Sequence, residues 1–155
     1  HILKKFPSRN LNNLEFEILE SSALEDIDLA KEVINQCKQL GITFSIDDFG
    51  TGYSSLSYLK KIPAEYLKID QTFVRDMLAD ADDCTIIKGI IELSKAFNLK
   101  VIAEGVETPA HGEVLTELGC FLAQGYGIAK PMSASDMPVW IKRWQGNPVL
   151  VDGSK

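Results

Sequence analysis

The chain has 155 residues, 45% of them hydrophobic and 25% charged, which is one domain's worth of sequence with enough apolar material for a core. A net charge of −6 and a pI near 4.9 argue against nonspecific attachment to DNA or acidic lipid, and leave phosphate ligands open only where metal ions sit between the charges. No apolar run reaches the roughly 18 residues of a membrane span, no secretory signal opens the chain, and the abrupt start at His1 reads as a cut from something longer.

In chain order, residues 3–13 read as a helix end and a polar connection around Pro7. Residues 14–19 form a strand candidate that carries Glu17 among apolar neighbours. Ser22 and Glu25 have capping-box spacing, and Ile27, Ala30, Val33, Ile34, Cys37 and Leu40 then mark one helical face, closed by Gly41. Residues 42–46 predict a buried strand that stops at Asp47 and Asp48. Gly50 and Gly52 follow, then Tyr53 and a Ser54-Ser55 pair suited to capping a helix over 55–61. An Asp-Asp-Gly stretch of this kind also suits an ordinary turn.

The strand–helix pattern then repeats. A strand over 66–69 ends at Asp70 and leads to a helix over 72–78. A helix over 84–97 follows, striped with Ile86, Ile87, Ile90, Ile91, Leu93 and Phe97 and stopped by Asn98. A strand over 101–103 ends at Glu104, Thr108-Pro109 opens a helix that stops at Gly119, and a strand over 121–123 ends at Gln124. A last helix spans 136–144, and the domain is taken as 1–145 with a frayed tail over 146–155.

Short β-branched strands alternating with helices predict an α/β fold with a parallel sheet. Polar residues at successive strand ends favour a TIM-barrel-like (β/α) arrangement, whose C-terminal strand ends line the active site. A Rossmann-like open sheet would obey a similar rule, but no G-x-G-x-x-G occurs. The barrel is incomplete, with about five of eight strands. Cys37, Cys84 and Cys120 are odd in number and widely spaced, and they read as reduced core residues.

Glu17, Asp47, Asp70 and Glu104 stand at four separate strand ends, with Asp48 beside Asp47, and without thiolate or imidazole this all-oxygen set favours Mg²⁺ or Mn²⁺ over zinc. Lys68 lies two residues before Asp70 and on the same strand face. It is either an orienting group for a water and a leaving-group charge or a structural ion-pair partner. Asp48-Phe49-Gly50 also spells a kinase metal motif, but the Gly-rich and H-R-D loops that it needs are absent.

Four motifs in order carry a more specific resemblance: 47–55 (DDFGTGYSS), 67–70 (LKID), 103–107 (AEGVE) and 124–131 (QGYGIAKP). Together they resemble the EAL domain family, bacterial phosphodiesterases that hydrolyse cyclic di-GMP to linear pGpG. The resemblance implies that Glu17, Asp47 and Glu104 are metal ligands, that Asp48 reaches a second metal, and that Lys68 holds the attacking water. Glu107 joins Lys68 and Asp48 in the catalytic set, with Gln124 and Pro131 contacting substrate. The 49–55 loop matches the segment that couples dimerisation to metal binding. The family's Glu-Ala-Leu strand and the next strand, with its metal-binding Asn, do not occur among these residues. The expectations are therefore a truncated, weakly active phosphodiesterase using two Mg²⁺ or Mn²⁺ ions, cytoplasmic and homodimeric, whose parent carries a regulatory or GGDEF domain. The alternative is a degenerate module that binds cyclic di-GMP or a protein partner without turnover.

Overall fold

The computed structural model describes residues 11–52 and 56–144. The expectations for the 3–10 connection, for Tyr53 and the Ser54-Ser55 cap, and for the tail beyond 144 lie outside the described residues. After a short 3₁₀ turn, the order is β1 (Glu15–Leu19), α1 (Glu20–Glu25), α2 (Ile27–Lys38), β2 (Thr43–Phe49) and α3 (Leu56–Leu59). It continues with β3 (Tyr66–Ile69), α4 (Gln71–Asp76), α5 (Ala81–Ala96), β4 (Lys100–Ala103), α6 (Pro109–Glu117), β5 (Leu122–Ala123) and α7 (Met137–Arg143). The five strands are all parallel and lie side by side in chain order. This α/β architecture is the one predicted, with β1 and β5 as its two edges.

Local chemistry sets the element boundaries. The Ser22–Glu25 capping box does not form, because both residues lie inside α1. Asp26 caps α2 instead, its carboxylate accepting from the Leu29 amide at 2.9 Å. α5 begins three residues earlier than its apolar stripe suggests. Asp80 accepts from the Asp82 amide, and Asp82 and Asp83 occupy a first turn that favours negative charge. Asn98 stops that helix in the left-handed region at φ 57°, as its position predicted.

The sheet has two chemically different faces. Phe44, Ile46, Leu67 and Ile69 lie under the helices at no more than 5% exposure, joined by Ile34, Ile87, Ile91 and Leu115. Strand pattern alone puts Phe16, Ile18, Phe44, Ile46, Leu67, Ile69, Val101 and Ile102 together on one wet interior face. That is corrected for the first six and Val101. Side chains alternate across a strand, so these seven residues face the helix layer. The opposite, concave face carries Glu15, Glu17, Tyr66, Lys68, Ile102, Leu122 and Gln124.

The cysteines are unpaired, and Cys120 is buried between β4 and β5. Its Sγ lies 3.3 Å from the Leu122 carbonyl, and burial pushes its thiol up to about 11. Cys120 should therefore stay unlabelled by iodoacetamide at pH 8 in the folded chain and react once urea unfolds it. Native-state labelling at Cys120, read by peptide mass spectrometry, would contradict this packing.

Candidate functional site

A regular strand would send Asp47 and Asp48 to opposite faces. Two irregularities prevent that. The β2–β3 register slips between Ile46 and Phe49, and Asp48 adopts φ 56°, a left-handed conformation rare for a non-glycine residue. Gly50 continues the turn at φ 101°. As a result Asp47, Asp48 and Glu104 present carboxylate oxygens all within 4.8 Å of one another. A backbone cost of order 1–3 kcal/mol at such a residue is sustained where surrounding structure holds it.

Lys68 is the centre of this cluster. Its side chain is 4% exposed, and Nζ lies 2.6 Å from Glu17, 2.9 Å from Asp47 and 2.6 Å from Glu104. The contact to Asp47 is electrostatic, since Asp47 Oδ1 is buried without an aligned hydrogen-bond donor. Burial alone would lower the lysine's pKa, but its close contacts with the Glu104, Glu17 and Asp47 carboxylates outweigh it and raise the value. Glu104 is nevertheless also raised, first by burial and then by Asp47 and Glu17, against the pull of Lys68. Asp48 is raised by partial burial and by Asp47 and Asp70 beside it. One ammonium facing three carboxylates leaves negative charge in excess, and the acids show it. Gln124 adds a neutral donor, its Nε2 lying 2.7 Å from Glu104 Oε1.

Next to this cluster opens a cavity of about 770 Å³, walled by Glu104, Glu107, Gln124, Tyr126, Pro131 and Trp140. Lys130 lies over the Tyr126 ring at 5.9 Å. The structure thus brings Glu17, Asp47, Glu104, Lys68 and Gln124 into one bonded group with Asp48 alongside. Glu107 and Pro131 stand on the cavity wall, apart from the ammonium.

Sequence reading missed two contributors, Glu20 and Ser45, and named Asp70 only as a strand-end acid on the Lys68 face. Glu20 is 4% exposed and reaches the 48–52 turn, accepting from the Gly50 amide at 3.3 Å; a charge directly after an apolar strand was its signal. Asp70 caps α4 through the Thr72 amide and hydroxyl, and its carboxylate faces Asp48. Ser45, paired in register with Glu17, has a buried hydroxyl with no partner among the described residues.

Parallel strands in sequential order, with acids gathered at their C-terminal ends beside a cavity, define a TIM-barrel-like α/β domain. A family model for the EAL domain matches residues 2–131, and the chain belongs to that family. It is 46% identical over 126 residues to the bifunctional diguanylate cyclase/cyclic di-GMP phosphodiesterase MucR of Pseudomonas aeruginosa, a match covering 81% of this chain and 18% of MucR. The cyclic di-GMP phosphodiesterase PdeR of Escherichia coli is 43% identical over 131 residues, covering 84% of this chain and 20% of PdeR. Among solved structures, the PaMucR phosphodiesterase in complex with c-di-GMP superimposes with a TM-score of 0.79 at 45% identity, covering 84% of this chain and 53% of that one. The EAL domain of Mycobacterium smegmatis DcpA gives 0.81 at 37% identity, covering 92% and 63%. The chain therefore spans about a fifth of the curated relatives' length and about half of the MucR structure. No helix of the described residues is long and apolar enough to cross a membrane.

Proposed function

We propose that this chain supplies the acidic half of a cation-dependent cyclic di-GMP phosphodiesterase, which hydrolyses that substrate to linear pGpG. The observation that carries the reading is the group of Asp47, Asp48 and Glu104 within 4.8 Å, held around one buried ammonium beside a large cavity. The donor set fits a hard divalent cation: all ligands are oxygen, the cluster has surplus negative charge, and Asp47 Oδ1 is buried without an aligned donor. Glu17, Asp47, Asp48 and Glu104 would hold Mg²⁺ or Mn²⁺. Such ions, when bound, supply Lewis-acid polarisation of a phosphoryl oxygen and a water of lowered pKa.

The chain's own residues do the rest. Lys68 keeps its proton and sets a fixed positive charge where the attacking oxygen and the phosphate meet. Gln124 orients Glu104 by donating to it. Glu107 lies at the cavity edge, positioned to exchange a proton with solvent. Tyr126 and Pro131 offer flat apolar surface for a purine base, and Lys130 offers charge for a phosphate. The same reading assigns the protein to the cytoplasm, within a parent that carries a regulatory or GGDEF domain.

A second reading, nucleotide binding without turnover, draws on Lys68 already engaging three carboxylates and on Glu17 being half exposed. The two are separated by incubating the purified chain with cyclic di-GMP in Mn²⁺ and, in parallel, in Ca²⁺. The first reading expects saturable binding, weakened about tenfold or more by Gln124→Ala, with slow pGpG release in Mn²⁺ that Lys68→Ala abolishes. Turnover by this polypeptide should be low, because the Glu and Asn ligands implied by the family resemblance are not among its residues. Binding with no pGpG at any enzyme concentration favours the second reading, and no binding in either ion contradicts both.

A further inference from the structure

His111 is buried at 5% exposure, and neither the acidic cluster nor the cavity uses it. It lies in the first turn of α6, just beyond the 104–108 loop that carries Glu104 and Glu107. Thr108 occupies the N-cap position of that helix, yet its hydroxyl makes no capping bond. The hydroxyl lies instead 2.7 Å from His111 Nδ1, while His111 Nε2 lies 3.2 Å from the Arg75 carbonyl on α4. A carbonyl can only accept, so Nε2 carries a proton, and in the neutral ring Nδ1 accepts from Thr108. The imidazole thus joins the end of the acidic loop to the C-terminal turn of α4.

That connection matters because of how the loop runs. At its start, a Cβ placed on Gly105 would sit 2.7 Å from Gln71 Cβ, so the backbone lies directly on the first turn of α4. At its end, Gly127 packs so closely that a Cβ there would meet the Glu107 carbonyl carbon at 2.5 Å. In between, the Val106 amide donates to the Gln124 carbonyl at 3.1 Å. The loop therefore lies along α4 and is pinned at Gln71 by packing and at Arg75 by His111. α4 is itself fixed at its other end by Asp70, the neighbour of Asp48.

We propose that His111 is a positioning residue, the buckle that holds the 104–108 loop along α4 so that Glu104 keeps its orientation toward the cluster and Glu107 its place on the cavity wall. Its consequence for the site rests on the cation reading above; the buckle itself does not. Glutamine can reproduce both contacts, with Nε2 donating to the Arg75 carbonyl and Oε1 accepting from Thr108, whereas leucine can reproduce neither. Thr108→Val removes the hydroxyl from the other end with little change of shape.

The test uses the full chain and its His111→Leu, His111→Gln, Thr108→Val and Glu104→Gln variants. Amide hydrogen exchange reads the loop, and calorimetric titration with Mn²⁺ reads the site. Exchange at Gly105–Thr108 should quicken about tenfold in His111→Leu and Thr108→Val and return to within about twofold of the parent in His111→Gln. Mn²⁺ affinity should follow the same order, with Glu104→Gln lowest. Unchanged exchange in both His111→Leu and Thr108→Val, with the variants folded, overturns the buckle. Faster exchange with Mn²⁺ affinity unchanged overturns its positioning role. If the parent chain binds no Mn²⁺, the cation reading fails, and the exchange measurement still decides the buckle. If His111→Leu does not fold, the contrast between Thr108→Val and His111→Gln decides it.

Discussion

Replacing Lys68 by methionine should lower the stability of the metal-free chain by about 2–4 kcal/mol. Removing one partner from a buried ionic group strands the others, typically at about 3–5 kcal/mol. The lower figure applies here because Glu17 is half exposed and can rehydrate, while Asp47 and Glu104, at 16% and 13% exposure, regain less water. Methionine keeps most of the side-chain volume, so little of the loss comes from a cavity. The pH dependence has a definite sign. The carboxylates hold the lysine's pKa above its ordinary 10.5, so its contribution is fully present at neutral pH and fades only as pH rises through that higher value. Urea denaturation at pH 7, with and without Mn²⁺, checks both parts. The cation should restore stability selectively in Lys68→Met, because it replaces the missing charge. A variant as stable as the parent in chelator would mean that the three carboxylates do not depend on Lys68.

A second large effect is expected in solution behaviour. β1 and β5 are sheet edges, each with one row of unpaired backbone groups, and edges of this kind pair with other chains. Apolar side chains accompany both: Leu14, Phe16 and Leu19 around β1 are 38–46% exposed, and Phe121 and Leu122 at β5 are similar. Among the described residues the concave face between them is open rather than filled. The isolated chain should therefore form dimers or larger species that dissociate on dilution, with a melting temperature that rises with protein concentration. Light scattering across a dilution series is the check. A 17.2 kDa monomer melting cooperatively at one temperature throughout would show that the edges are protected in solution.

How legible these features were in the sequence depends on the physics behind each. The strand at Tyr66–Ile69 and its neighbours were readable, because short apolar runs ending in single polar residues are a local signal. So were Glu17, Asp47, Lys68, Glu104 and Gln124, since the parallel sheet carries each strand end to the same rim. Which sheet face each apolar residue takes was not readable by the same rule, because alternation leaves the sign open until the helices are placed. The α2 cap falls at Asp26 although Ser22 also satisfies a capping pattern, and local spacing cannot choose between them. The device that turns Asp48 toward Asp47 was also hidden, since a register slip and a positive φ at an aspartate leave only a faint trace in sequence. His111 was invisible for a further reason: its partners, Thr108 and the Arg75 carbonyl, come together only through tertiary packing.

A hard-cation site formed by the carboxylates around Lys68 is tested most directly by calorimetric titration of the chain with Mn²⁺, repeated on Asp47→Asn. The expected result is saturable binding in the parent chain that falls by at least about tenfold when Asp47 loses its charge, since coordination by ionised oxygen carries most of the affinity for such ions. A measurable affinity that is the same in the parent and in Asp47→Asn would contradict it.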